Sequence, residues 1–103
     1  MKKILLFVRP TKVDTVKQTL SEVGHPGFTC RRVMGRGKRV AGNGNERMDL
    51  LPKRMFVIVV PDEAVDDVVK RLMDAVSEGH PGDGRVFVIP VERSYNIHLA
   101  REL

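Results

Sequence analysis

Tryptophan is absent from the chain and cysteine occurs once, at Cys30. A lone thiol can form neither an internal disulfide nor a cysteine-based zinc site. That excludes disulfide-stapled scaffolds and zinc modules and fits a reducing compartment. Aromatic side chains make up only 5% of the residues (Phe7, Phe28, Phe56, Phe87 and Tyr95). No apolar run approaches the roughly 20 residues of a membrane-spanning helix. The opening MKKILLFVRP sets a short apolar stretch between two lysines and Arg9-Pro10, too short for a secretory signal core. Secreted and transmembrane classes are therefore excluded, and a cytoplasmic protein is expected. Catalytic patterns are missing as well. His25, His80 and His98 form no HExxH or closely spaced pair, and Ser21, Ser77 and Ser94 lack a GxSxG setting. Neither GxGxxG nor the Walker pattern GxxxxGK[ST] occurs. With no nucleophile or acid–base pair, neither an enzyme nor a metal site is expected.

What is present suffices for one domain spanning residues 1–103, with 42% hydrophobic residues. So small a domain buries a limited share of its surface, and self-association would help it. The net charge of +5 is unevenly spread. Between Arg31 and Arg54 there are eight basic residues (Arg31, Arg32, Arg36, Lys38, Arg39, Arg47, Lys53, Arg54) against Glu46 and Asp49. Such a stretch is either a solvated loop or a surface for an anionic partner.

Hydrophobic periodicity outlines the elements. Ile4 to Val8 is a continuous apolar run ended by Pro10, which predicts a strand buried on both faces. Thr11 is placed to cap a helix, with Asp14 three residues on, and Val13, Val16, Leu20 and Val23 follow at helical spacing. Gly24 ends that helix and Pro26-Gly27 turns the chain. Phe28 to Met34 predicts a strand with one wet face. Residues 35–49, GRGKRVAGNGNERMD, hold four glycines and two asparagines and predict a loop. Its span from Arg36 to Met48 is expected to be mobile without a partner. Met55 to Val60 is a second buried strand ended by Pro61, and Asp62 is placed to cap the next helix. Val65, Val68, Val69, Leu72, Met73 and Val76 form its apolar stripe, with Gly79 as the stop. Arg85 to Val91 predicts a fourth strand with Pro90 at its end. A short further strand is expected around Ile97 and Leu99.

The order is βαββαβ, and its halves echo each other. Gly24-His25-Pro26-Gly27 follows the first helix and Gly79-His80-Pro81-Gly82 the second. A duplicated βαβ unit with right-handed crossovers predicts an α+β, ferredoxin-like sandwich, with an antiparallel sheet and two helices on one face. Nothing in the chain covers the other face, so another subunit is expected to. Gly82-Asp83-Gly84-Arg85 can aim backbone N–H groups and a forked cation at one anion. Gly35-Arg36-Gly37-Lys38 has the same ingredients, although an Asp-Gly turn alone is common.

These segments together resemble the PII-like (GlnB/GlnK) signal-transduction proteins over about the whole chain. The motifs are the opening MKKI…VRPTKVDTVKQTLSEVGHPGFT, Leu51-Pro52-Lys53 before MetPheValIleValValProAsp, and Gly82-Asp83-Gly84-Arg85-Val86-Phe87-Val88. The resemblance implies a homotrimer with its sheets lining the centre and ATP, ADP or AMP in the clefts between subunits. Gly82, Asp83, Gly84 and Arg85 would form a phosphate-binding B-loop within residues 79–85. Gly27 and Thr29 would lie near the adenine, and Gly35, Gly37, Lys38 and Lys53 at the base of a T-loop spanning residues 35–51. Residues 92–103 would form the C-terminal tail. Regulation is implied through T-loop contact with a target such as a membrane transporter or an enzyme of nitrogen metabolism.

The departures refine this. The T-loop segment is short and holds no tyrosine, so uridylylation is not expected. Arg39 stands where the family has a glutamine that helps hold magnesium and 2-oxoglutarate, and a cation there counts against both. Asn96 and His98 align with a pair of phosphate-gripping arginines. Losing two charge-assisted contacts of roughly 1.5–3 kcal/mol each weakens ATP most, so ADP or AMP gains, or nucleotide binding is lost. The short loop and tail also look like the subgroup linked to nitrogenase switch-off in anaerobes and archaea. Two other readings compete: a nucleotide-independent interaction module of the same fold, and a small basic nucleic-acid-binding domain. The latter is weaker because the aromatic-rich strand motifs of RNA-recognition domains are missing.

Overall fold

The computed structural model describes residues 1–40 and 46–103, with side chains for all of these except 37–40 and 46–49. Strand β1 (Lys2–Val8) leads through a 3₁₀ turn (Pro10–Lys12) into helix α1 (Val13–Glu22). Strands β2 (Thr29–Val40) and β3 (Glu46–Val60) follow, then helix α2 (Val65–Val76) and strand β4 (Gly84–Pro90). The main sheet is antiparallel with order β2-β3-β1-β4, and both helices cover one face. This is the expected ferredoxin-like arrangement.

Alternation along the strands builds the core. Ile4, Leu6 and Val8 meet Phe56, Ile58 and Val60 on the helix side, where Val16 and Leu20 of α1 and Val65, Val68, Leu72 and Val76 of α2 close over them. The apolar runs are thus buried on one face in the single chain. On the other, Leu5, Phe7, Met55 and Val57 are half-buried, while Val59 and Phe87 remain 48% and 44% exposed. Phe7 and Phe87 pack edge-to-face there, with ring centroids 6.1 Å apart. Pro90 falls at the end of edge strand β4, where its missing N–H removes no central ladder bond.

Gly24 ends α1 as expected. Its φ is +83°, His25 N–H bonds Leu20 O at 3.0 Å and Gly24 N–H bonds Ser21 O at 3.2 Å, which together form a Schellman cap. The caps at the other ends differ from expectation. Neither Thr11 nor Asp62 caps a helix through its side chain. Each lies inside a 3₁₀ turn that precedes the helix, and the Asp62 carboxylate instead takes the Met1 ammonium, which holds its pKa below the usual range. Helix α2 stops at Val76, before Gly79, whose φ of +76° serves the following turn.

The segment expected as a loop is largely strand. Beyond Val8, where β1 ends, β2 and β3 continue as a two-stranded ribbon through the rungs Val33↔Lys53 to Val40↔Glu46. Eight rungs extend it roughly 26 Å at about 3.3 Å per residue. Gly35 lies in this ribbon opposite Leu51 rather than in a turn. Pairing gives the backbone N–H and C=O of alternate residues a partner across the ribbon that an open loop would have to seek in water. Residues 41–45, the centre of the span expected to be mobile, lie outside the described residues. The C-terminal strand is also displaced. A small hairpin pairs β5 (Tyr95–Asn96) with β6 (Arg101–Glu102), and Ile97 and Leu99 fall in the turn between them. Asn96 directs it by accepting the Leu99 N–H at 2.8 Å, and Ala100 has a φ of +53°. Among the described residues no helix is long and apolar enough to cross a membrane.

Candidate functional site

The turn between α2 and β4 is organised by one carboxylate. Asp83 Oδ2 accepts the Glu78 N–H at 2.7 Å and the His80 N–H at 3.1 Å, with the Ser77 hydroxyl at 3.5 Å. The Glu78 N–H holds this carboxyl below the usual aspartate range, joined by the His80 N–H and the Arg9 guanidinium and opposed by partial burial. Asp83 Oδ1 is buried and has no hydrogen bond among the described residues. Arg9 Nη1 stands 3.9 Å from it.

Cations converge on the same turn. Arg9 follows the last residue of β1 and is fixed there by the 3₁₀ turn, in which Lys12 N–H bonds Arg9 O at 3.0 Å. Arg9 Nε donates to Gly82 O at 3.1 Å, and Nη1 lies 3.7 Å from Glu78 Oε2. Lys53 Nζ, one residue beyond the Val8↔Arg54 rung, donates to the same Gly82 O at 2.9 Å. Lys12 Nζ pairs with Glu78 Oε1 at 2.6 Å, and that bond draws the Glu78 carboxyl below its ordinary range. Arg85 lies exposed on edge strand β4 opposite Phe7 and forms no ion pair among the described residues. Beside this turn, between α2 and the start of β4, a cavity of about 230 Å³ is lined by Leu6, Val8, Met73, Val76, Asp83, Gly84 and Arg85 among others, but not by Arg9, Lys12 or Lys53.

The two glycines have reasons inside the chain. A Cβ on Gly84 would stand 2.0 Å from Phe7 O, and its φ is +139°, so only glycine lets β4 start against β1. A Cβ on Gly82 would stand 2.9 Å from Arg9 Nη2. Of the residues singled out from sequence, Gly82, Asp83, Gly84, Arg85 and Lys53 come together. Gly35 joins them loosely, since a Cβ there would touch Lys53 Cγ at 3.5 Å. Gly37 and Lys38 fall opposite Asp49 and Met48 in the ribbon. Gly27 and Thr29 do not join. Thr29 pairs with Val57 on β2, the opposite edge of the sheet from Gly84. The Arg9–Glu78–Lys12 cluster was not assigned a role from sequence. The topology offers a signal for it: Val8 pairs with Gly84, so the next residue, Arg9, must lie beside Asp83.

The family model of the nitrogen regulatory protein P-II matches residues 1–101. Among curated proteins, the nitrogen regulatory protein P-II of Haemophilus influenzae is 38% identical over 107 aligned residues, covering 99% of this chain and 96% of its own. The nitrogen fixation nifHD region GlnB-like protein 1 of Methanobacterium ivanovii is 39% identical over 98, covering 94% and 93%. The nitrogen regulatory protein P-II 1 of Escherichia coli K12 is 39% identical over 107, covering 99% and 96%. Fold, motif order and near-complete alignment agree: the chain belongs to the nitrogen regulatory protein P-II family.

Proposed function

We propose that the protein is a nitrogen-regulatory signal protein of the cytoplasm. In this reading it binds an adenine nucleotide between subunits of a homotrimer and acts by contact with a partner protein rather than by catalysis. The observation that carries the reading is the charge at the turn before β4. Arg9, Lys12 and Lys53 gather there around Gly82 and the carboxylates of Glu78 and Asp83, and Arg85 follows two residues after Asp83. Phosphate groups suit that excess, with Arg85 as the fork and the N–H groups of the turn as further donors.

Two features support a site shared between copies. The cavity of about 230 Å³ falls short of the ~300–1,000 Å³ of pockets that enclose a whole ligand. Thr29 and Gly84 lie on edge strands separated by β3 and β1, and Thr29 is level with Phe87, three rungs from Gly84, so the two stand farther apart than the ~14 Å of three strand spacings. Edge β4 of one copy beside edge β2 of the next brings the two sets together and turns the open apolar faces inward. A nucleotide bound there supplies the signal, since its phosphate count decides how fully the cations are engaged. Asn96 is uncharged and its Oδ1 is held in its own hairpin turn, so it offers no cation to the extra phosphate of ATP, which favours ADP or AMP.

Calorimetric titration with ATP, ADP and AMP, with and without magnesium and 2-oxoglutarate, tests this. Arg85→Ala should cost roughly ten- to a hundredfold in affinity, the equivalent of about 1.5–3 kcal/mol for a charged hydrogen bond. Equal affinity in both proteins removes this turn from the site, and no heat with any nucleotide refutes the nucleotide reading.

A further inference from the structure

On the helix-side face, β2 and β3 change character within one rung. Cys30 lies opposite Phe56, which is fully buried in the core. The next pairs on that face are Arg32 opposite Arg54, Met34 opposite Pro52, and Arg36 opposite Leu50. Met34 and Leu50 are 59% and 56% exposed. Like charges directly opposite on a sheet repel. Among the described residues, Arg32, Arg36 and Arg54 have no ion-pair partner. A groove of about 490 Å³ lies here, between the root of the ribbon and Pro10, and Arg32, Met34, Pro52 and Arg54 help to line it.

We propose that this groove receives an acidic, extended segment of a partner protein that alternates carboxylate and bulky apolar side chains. The opposed arginines call for an anion, and one carboxylate can accept from two guanidinium forks. The apolar steps decide what carries that anion. A free phosphate or a nucleic-acid backbone satisfies the cations but leaves Met34, Leu50 and Pro52 in water. Spacing points the same way. Same-face residues of a strand recur about every 6.6–6.8 Å, the repeat of alternate side chains in an extended partner, so an acidic–apolar–acidic series matches Arg32, Met34 and Arg36. The inference deepens the partner-contact reading above by giving the partner's chemistry, and it does not depend on nucleotide binding.

Fluorescence anisotropy of a labelled peptide of alternating Glu and Leu, titrated with the full chain, tests it. Arg32→Gln with Arg54→Gln should weaken binding roughly tenfold or more. Lys17→Gln, on the exposed side of α1, should leave it unchanged. The double variant removes a repulsion, so its thermal midpoint should hold or rise. An alternating Glu and Ser peptide, inorganic tripolyphosphate and a short DNA duplex should each bind more weakly. Unchanged affinity in the double variant overturns the proposal. So does a Glu/Ser peptide or a duplex that binds as tightly as Glu/Leu, because the face is then an unselective anion patch. Nucleotide titration of the double variant separates the two readings. Peptide binding lost with nucleotide affinity intact places the peptide on this groove, and nucleotide binding absent throughout sinks only the nucleotide reading.

Discussion

Gly84→Ala isolates the turn's geometry from its chemistry. The added Cβ would lie 2.0 Å from Phe7 O, a backbone atom that cannot swing aside, and 3.4 Å from Val8 Cα. Relief requires the start of β4 to shift by about 1 Å or more, since non-bonded carbon and oxygen need over ~3 Å. The φ of +139° adds strain of about 1–3 kcal/mol for a residue with a side chain. The Val8↔Gly84 rung is lost as well, at about 0.5–1.5 kcal/mol for a hydrogen bond. The expected destabilisation is therefore about 2–4 kcal/mol, a large part of the ~5–15 kcal/mol that holds a domain. For a chain of this size that lowers the thermal midpoint by roughly 10–30 °C. Gly27→Ala is the control. It has an ordinary φ and nothing within 4 Å of the added Cβ, so it should be neutral or slightly stabilising. Urea and thermal unfolding at one protein concentration measure both. If Gly84→Ala falls within ~0.5 kcal/mol of the wild type, the close approach of β4 to β1 is not as described, and the steric reason for this glycine fails.

Two further outcomes follow from the same geometry. Phe87→Glu puts a charge on the open apolar face against Phe7. Light scattering should find the wild type as a trimer and the variant as a monomer at micromolar concentration, and a monomeric wild type refutes the use of that face. Asp83 and Glu78 both titrate below their ordinary ranges in the folded chain, through the Glu78 N–H and Lys12 respectively. A folded-state pKa below the unfolded value means that their contribution is present above the usual carboxylate range and is lost as pH falls through the depressed values. Stability should therefore drop on acidification below about pH 4, and the drop should be shallower in Asp83→Asn with Glu78→Gln. Identical pH profiles would show that these bonds do not discriminate between the protonation states.

The legible parts of the fold are those decided by period. The stripe Val16, Leu20 on α1 and Val65, Val68, Leu72, Val76 on α2 was readable because helical spacing and burial are the same fact. The Gly24 stop was readable because a left-handed cap strongly prefers glycine. The ribbon was not readable. Glycines and charges at 35–40 predict a loop on composition, whereas cross-strand pairing with residues 46–51 depends on partners that a local window does not contain. The helix starts failed for a related reason. A 3₁₀ turn precedes each helix, which moves the N-terminus past the residue that composition marks as its cap.

The candidate site divides along the same line. Gly82-Asp83-Gly84-Arg85 could be picked out as a short motif, but the reason for its glycines could not. Gly84 answers to a carbonyl on β1 and Gly82 to the guanidinium of Arg9, and the Arg9–Gly82 bond joins residues 73 apart in sequence. An anion-binding role and a packing role therefore ask for the same residue at the same place. The motif alone cannot separate them, and glycine-to-alanine stability cannot either. Arg85 can, because it forms no ion pair among the described residues and makes no close approach that requires it. A change there that leaves stability intact while reducing nucleotide affinity reports on binding, whereas the same affinity loss at Gly84 reports first on the position of β4.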